Sequence, residues 1–198
     1  SAVEPAAPEG GCTARLAHRM GWIPMARVLA LVVFILASVA SVPAPALTIN
    51  WDRPTPLPPL ALETAAGGTV GLDAFGGRVV VLNLWATWCA PCEREMPTLA
   101  ALQAAFDPAA VRVVALAVDR AGFDELEGFL AELGADDLRL LRDPDGAAAR
   151  ALDAPGLPVT LILDTEGRER FRHAGYADWS TDAVVEAIGE LAGVAPAR

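Results

Sequence analysis

The sequence predicts an α/β sandwich, a central mixed sheet with helices on both faces. Three observations lead there. Apolar, β-branched runs alternate with stretches of helical periodicity. The last two strand-like runs flank Asp164-Thr165-Glu166-Gly167, a short Gly-containing loop that makes the pair antiparallel. One apolar run, Val79 to Leu84, passes directly into a helix through Cys89 and Cys92. The chain has 198 residues, 54% hydrophobic, enough for one domain of about 150 residues with a leader. A net charge of −10 argues against nucleic acid or an anionic membrane surface as a partner. Three cysteines, two of them in one motif, are not a disulfide scaffold.

In chain order, residues 1–24 are rich in Ala, Pro and Gly without periodicity and read as an unstructured leader, with Met20 and Met25 as candidate starts. Residues 25–46 read as a signal peptide or membrane anchor. Arg27 precedes the uncharged run Val28 to Val42, and Ala44-Pro45-Ala46 is an A-x-A-like cleavage site. The run is short of the roughly 20 residues of a full span, and arginine on its N-terminal side keeps that side inside. Residues 47–59, with Pro54, Pro56, Pro58 and Pro59, read as an extended linker, and residues 60–194 as the folded domain. Leu60 to Leu62 and Thr69 to Leu72, around Ala66-Gly67-Gly68, form an N-terminal hairpin.

Val79 to Leu84 is a continuous run fitting a strand buried on both faces. Met96, Leu99, Leu102 and Phe106 then repeat at helical spacing until Asp107-Pro108. Val111 to Val118 is a second buried strand, and Phe123, Leu126, Phe129, Leu130 and Leu133 mark a helix ending at Gly134. Leu138 to Leu141 is a short strand and Gly146 to Leu152 a short helix. Val159 to Leu163 and Glu169 to His173 form the closing hairpin, and Val184, Val185, Ile188 and Leu191 the final helix.

The chemistry concentrates at the strand-to-helix junction. Cys89 stands at the helix start, a position that should leave its sulfur exposed and where unpaired N–H groups and the helix dipole favour a thiolate. Cys92, one turn in, is expected to be more buried and less acidic. A pair so spaced performs dithiol–disulfide exchange: the first sulfur attacks, and the second resolves the mixed disulfide. Zinc would need four ligands, with only Cys12, His18 and His173 to supply the rest, and covalent haem attachment needs His where Glu93 stands. An inert structural bridge across so short a loop removes little chain entropy from the unfolded state.

Trp88-Cys89-Ala90-Pro91-Cys92, with Pro97 five residues on, resembles the thioredoxin active site, and the string from Leu82 to Pro97 resembles the TlpA/ResA group of membrane-tethered thioredoxins. The likeness extends over roughly residues 54–192. It implies a thioredoxin-like sandwich in which the N-terminal hairpin and the segment Leu138 to Leu152 are the additions typical of that group. Gly156-Leu157-Pro158 resembles the family's cis-proline loop, although Val159 intervenes before Thr160 where threonine usually follows the proline.

The resemblance, with the residue chemistry, assigns roles. Cys89 is the nucleophile and Cys92 the resolving thiol. Minimal thioredoxins place an aspartate six residues before the first cysteine; Asn83 stands there and cannot act as a base. Glu95, one helical turn after Cys92, falls where the group carries an active-site glutamate, and partial burial would bring its pKa into the range of a general base. Pro158 is expected cis, with Leu157 offering its backbone to an extended client segment. Trp88, Ala90 and Pro91 line the client side. Trp85 is core, Thr87 a helix cap, and His173, Tyr176 and Trp179 structural.

The function expected is thiol:disulfide exchange in the bacterial periplasm or on the outer face of the cytoplasmic membrane, with reduction favoured because Ala90-Pro91 holds no histidine to stabilise the thiolate further. The clients are proteins with disulfides or thiols, apocytochrome c and copper-site proteins among them, supplied by a membrane electron donor. Residues 27–42 would hold the membrane if uncleaved. No cofactor or metal is expected. Two other classes stand beside it: a peroxiredoxin-like peroxidase, which needs threonine and proline before its cysteine, and a copper carrier using both thiolates.

Overall fold

The structure is a computed structural model that describes residues 47–197. The leader read over residues 1–24 and the signal or anchor read over residues 25–46 lie outside the described residues. Among the described residues no helix is long and apolar enough to cross a membrane.

The elements run β1 (Leu62–Glu63), β2 (Thr69–Val70), a 3-10 helix (Leu72–Phe75), β3 (Val79–Trp85), α1 (Ala90–Ala104), β4 (Val111–Ala117), α2 (Phe123–Glu132), β5 (Arg139–Arg142), α3 (Ala147–Ala151), β6 (Val159–Leu163), β7 (Glu169–Ala174) and α4 (Asp182–Ala192). The strands form one sheet in the order β2-β1-β5-β4-β3-β6-β7. β3, β4 and β5 are parallel, while β1 and β6 join them antiparallel and β7 follows β6 antiparallel. The mixed sheet expected from the sequence is therefore present.

Strand alternation sorts the sheet residues into two cores. Val79, Val81 and Trp85 of β3 share a buried cluster with Met96, Leu99 and Leu102 of α1, Leu126 and Leu130 of α2, and Val184 and Ile188 of α4. Val80, Leu82 and Leu84 face the other way, into a cluster with Phe75, Ala148, Ala149, Leu161 and Leu163. Burial of both faces is why β3 reads as an unbroken apolar run. Trp85 is fully buried and stacks on Phe129, with ring centroids 5.8 Å apart. Helix α2 stops at Leu133 because Gly134 takes a positive φ of 65°, which lets the Ala135 N–H bond back to the Leu130 carbonyl at 2.8 Å.

The N-terminal segment differs from its sequence reading in two places. Pairing in the first hairpin begins at Leu62, with Leu62 opposite Val70, rather than at Leu60. The preceding Pro58-Pro59 has no N–H groups to give a ladder. Leu72 does not extend the second strand; the chain turns at Gly71 into the 3-10 helix, which buries Phe75. Residues 47–59, read as a linker, hold no helix and lie against the domain. Asp52 N–H bonds the Arg170 carbonyl at 2.7 Å, and Thr55 and Glu169 exchange two backbone bonds at 3.0 and 2.8 Å. This covers the outer edge of β7, while Leu47, Ile49 and Trp51 pack on the α1-side core.

Candidate active site

β3 ends at Trp85, and the chain crosses Ala86-Thr87-Trp88 before α1 begins. That crossing is tied down by Asp119, just beyond β4, whose carboxylate accepts from Thr87 N–H at 2.9 Å, Thr87 Oγ1 at 2.7 Å and Ala121 N–H at 3.1 Å. Burial pushes the Asp119 carboxyl up, but these bonds outweigh it and hold the group below its ordinary value. Thr87 is thus a tether to Asp119 rather than the helix cap expected of it. The cap is Cys89, whose Sγ accepts the Cys92 N–H at 3.3 Å.

Cys89 and Cys92 are joined as a disulfide. Pro91 sits in the first turn of α1, where no N–H is required of it. Cys92 is fully buried, as expected. Cys89 is not the open sulfur the sequence suggested: with the bridge closed it is only 5% exposed and belongs to the α1-side core. The exposed group beside it is Trp88, at 70%. Ala90 is exposed and Pro91 half-buried. The Leu157–Pro158 bond is cis. Pro158 is buried, Leu157 half-buried, and the Pro158 carbonyl accepts the Gly175 N–H at 2.9 Å, joining this loop to the turn carrying Tyr176. Tyr176 is partly exposed beneath the Arg94 guanidinium of α1, 5.2 Å from its ring centroid.

Glu95 is fully buried. Register places Asn83 of β3 opposite Thr160 of β6, and Thr160 opposite His173 of β7, a polar row across three strands on the α1 side of the sheet. Asn83 Nδ2 donates to Thr160 Oγ1 at 2.9 Å, and Thr160 Oγ1 donates to Glu95 Oε1 at 3.4 Å. The indole N–H of Trp179, fully buried, also donates to Oε1. Glu95 Oε2 and Asn83 Oδ1 are buried with no partner among the described residues. Burial dominates over the bonds from Trp179 and Thr160 and pushes the Glu95 carboxyl up to about 7.

Sequence reasoning named Cys89, Cys92, Glu95 and Pro158; Glu95 follows Cys92 by one turn of α1, and both side chains are fully buried. It misses Asp119 and the polar part of Trp179, for which the sequence suggests a structural role only. Trp179 lies 84 residues from Glu95, and no local pattern announces that pairing. His173 packs edge-on to Trp179, ring centroids 6.2 Å apart. Among the described residues no group of three or more His, Cys, Asp or Glu side chains converges as a metal site.

A seven-stranded mixed sheet, a CxxC disulfide capping the helix that follows a central strand, and a cis-proline loop define a thioredoxin-like protein with a dithiol–disulfide centre. The chain belongs to the Redoxin family, whose model matches residues 40–188. It is 32% identical to the thiol:disulfide interchange protein DsbE of Escherichia coli over 162 residues, which is 75% of this chain and 84% of that one. It is 31% identical to the thiol-disulfide oxidoreductase ResA of Bacillus subtilis over 111 residues, 56% of this chain and 61% of that one. The match to HelX of Rhodobacter capsulatus, at 33% identity, spans 56% of that protein, so the chain spans about six-tenths of the length of these two relatives. Among solved structures, a candidate DsbE from Chlorobium tepidum superposes with a TM-score of 0.58 at 29% identity, over 72% of this chain and 96% of that one. A secreted disulfide oxidoreductase of Mycobacterium tuberculosis, at 24% identity and a TM-score of 0.52, shares the fold over 68% of this chain and 96% of that one.

Proposed function

We propose that the protein is a thiol:disulfide oxidoreductase that reduces disulfides of protein clients through Cys89 and Cys92. The observation that carries the reading is the position of Cys89 Sγ at the start of α1, accepting the Cys92 N–H. When the bridge is open, the same N–H and the helix dipole stabilise a Cys89 thiolate.

The thiolate attacks one sulfur of a client disulfide, forming a mixed disulfide and expelling the client's other sulfur as thiolate. The Cys92 thiol passes its proton to the Glu95 carboxylate, and the Cys92 thiolate attacks Cys89 Sγ. The Cys89–Cys92 bond forms, the mixed disulfide breaks, and the client leaves with both sulfurs reduced. A dithiol donor must then reopen the bridge, returning two electrons and two protons. A carboxyl held at about 7 is suited to taking and returning a proton near neutrality. Leu157, beside cis-Pro158, offers backbone groups to an extended client, and Trp88, Ala90 and Pro91 form the surface it meets.

The clients are proteins of the cell envelope, with apocytochrome c and copper-site proteins as the classes to test. The similarity to DsbE, ResA and HelX, and the arginine-flanked apolar run of residues 27–42, support delivery to, or tethering at, the outer face of the cytoplasmic membrane. A redox titration of the Cys89–Cys92 pair tests the direction: a reductant should titrate near the roughly −270 mV of thioredoxin, and a value above about −150 mV makes the protein an oxidant. Cys92→Ser should accumulate a mixed disulfide at Cys89, whereas Cys89→Ser should trap none. Glu95→Gln should slow exchange and flatten its dependence on pH.

A further inference from the structure

We infer that Asn83, Thr160 and Trp179 are positioning residues that hold the Glu95 carboxylate in proton-accepting form: Asn83 fixes the direction of the Thr160 hydroxyl, and Thr160 and Trp179 together grip the carboxylate by one oxygen. This deepens the role proposed for Glu95 and rests on it for its catalytic meaning.

A threonine hydroxyl has one proton to donate. Thr160 Oγ1 accepts from the Asn83 amide at 2.9 Å, so its own proton is free to turn to Glu95 Oε1. With Asn83 turned the other way, its carbonyl oxygen would take that proton and Glu95 would lose a donor. An aspartate at position 83, the residue minimal thioredoxins carry there, has only acceptors when ionised. It would capture the Thr160 proton and add a second negative charge to the same pocket. Asparagine is therefore the residue type that makes this site work with one carboxylate placed on α1.

The grip is one-sided. Oε1 receives both donors, while Oε2 is buried with no partner among the described residues and keeps its lone pairs for an incoming proton. Trp179 is also bolted to the turn it serves. Its backbone N–H donates to Thr98 Oγ1 at 3.2 Å, and that hydroxyl donates to the Glu95 carbonyl at 2.7 Å. The Trp179 backbone is thereby anchored to the helix that carries Glu95.

No formal charge touches the carboxyl among the described residues. On α1 the neighbours are Cys92 and Thr98, with Glu93 and Arg94 exposed to solvent. β3 contributes Asn83 and β6 contributes Thr160. β7 contributes His173, which meets the pocket through the Trp179 ring. Asp178, beside Trp179, is exposed and accepts from Ser180. The balance at Glu95 is thus set by burial against two neutral donors.

The test reads the carboxyl itself. The full chain, oxidised so that neither cysteine titrates, is labelled with 13C at glutamate side chains and titrated from about pH 4 to about pH 9. The Glu95 signal is assigned by its loss in Glu95→Gln. Thr160→Val and Trp179→Phe should each raise the Glu95 midpoint by about one pH unit, the worth of one hydrogen bond to a charged group. Asn83→Asp should raise it further, and Thr160→Ser should restore the wild-type midpoint. If Thr160→Val does not fold, Asn83→Asp carries the same readout through a nearly isosteric change. A wild-type midpoint in Thr160→Val or in Asn83→Asp overturns the proposal. Unchanged exchange rates in Glu95→Gln would instead remove Glu95 from the reaction while leaving these carboxyl shifts standing, so the two failures are distinguishable.

Discussion

Replacing Glu95 with glutamine should make the oxidised protein more stable in alkali and leave it nearly unchanged in acid. The carboxyl is fully buried and held at about 7, against an ordinary 4.5. A raised native pKa means that the folded state prefers the protonated form. Between the two values the native protein binds more protons than the unfolded chain, so stability falls as pH rises through that window. Below about pH 4.5 both states are protonated and the group exacts no penalty. Above about pH 7 both are ionised, and the whole cost of keeping a charge in the core is present. At 1.36 kcal/mol per unit the difference amounts to about 3 kcal/mol. Glutamine keeps the shape and an oxygen for the Trp179 and Thr160 donors but never ionises, so it escapes the cost at every pH. Urea unfolding of both oxidised proteins at about pH 4.5 and about pH 8.5 should give near-equal free energies at the first and a gap of up to about 3 kcal/mol in favour of glutamine at the second. A constant gap at both pH values, or a wild-type protein gaining on the variant as pH rises, would refute the account of why this carboxyl is raised.

Three further outcomes follow from particular contacts. Asp119→Ala removes the acceptor of two hydrogen bonds from Thr87, in the loop before Cys89, and of one from the Ala121 N–H, and should cost about 1–3 kcal/mol at neutral pH. Because the native Asp119 is held below its ordinary value, that contribution is present above the unfolded pKa and fades as pH falls through the native one, so thermal melts of wild type and variant should converge in acid. Trp88→Ala removes a side chain that is 70% exposed and should alter stability by less than about 0.5 kcal/mol, while slowing reduction of protein disulfides more than of a small aromatic disulfide; equal slowing would remove Trp88 from client contact. Gly189→Ala would set a Cβ 2.8 Å from the Val194 carbonyl oxygen at the close of α4 and should cost about 1–3 kcal/mol by urea unfolding, with no change in exchange rate.

The reactive pair shows how far local pattern reaches. Val79 to Leu84 reads as a doubly buried strand because both its faces are covered, and the shift to helical spacing after Cys89 places the two sulfurs at a junction without any knowledge of the rest. The hairpin around Gly167 is legible for the same reason. Gly167 takes a positive φ of 76°, and Asp164 accepts the Glu166 and Arg168 N–H groups to close the turn. Thr87 marks where this reasoning stops. A threonine before a helix is a good cap candidate, but its hydroxyl found Asp119, 32 residues away, at 2.7 Å.

Sequence alone determined most of the elements and the place of the cysteine pair, since periodicity and residue chemistry act over a few neighbours, while Glu95 was singled out by its one-turn spacing from Cys92 together with the resemblance to the TlpA/ResA group. The exposure of Cys89, the packing of residues 47–59 on β7 and the partners of Glu95 were decided only by the tertiary structure. Sheet register alone brings Asn83, Thr160 and His173 into one row, and the loop after β7 delivers Trp179 to a helix 84 residues earlier. A carboxyl's proton affinity depends on everything within a few ångströms in three dimensions, and most of what surrounds this one is distant along the chain.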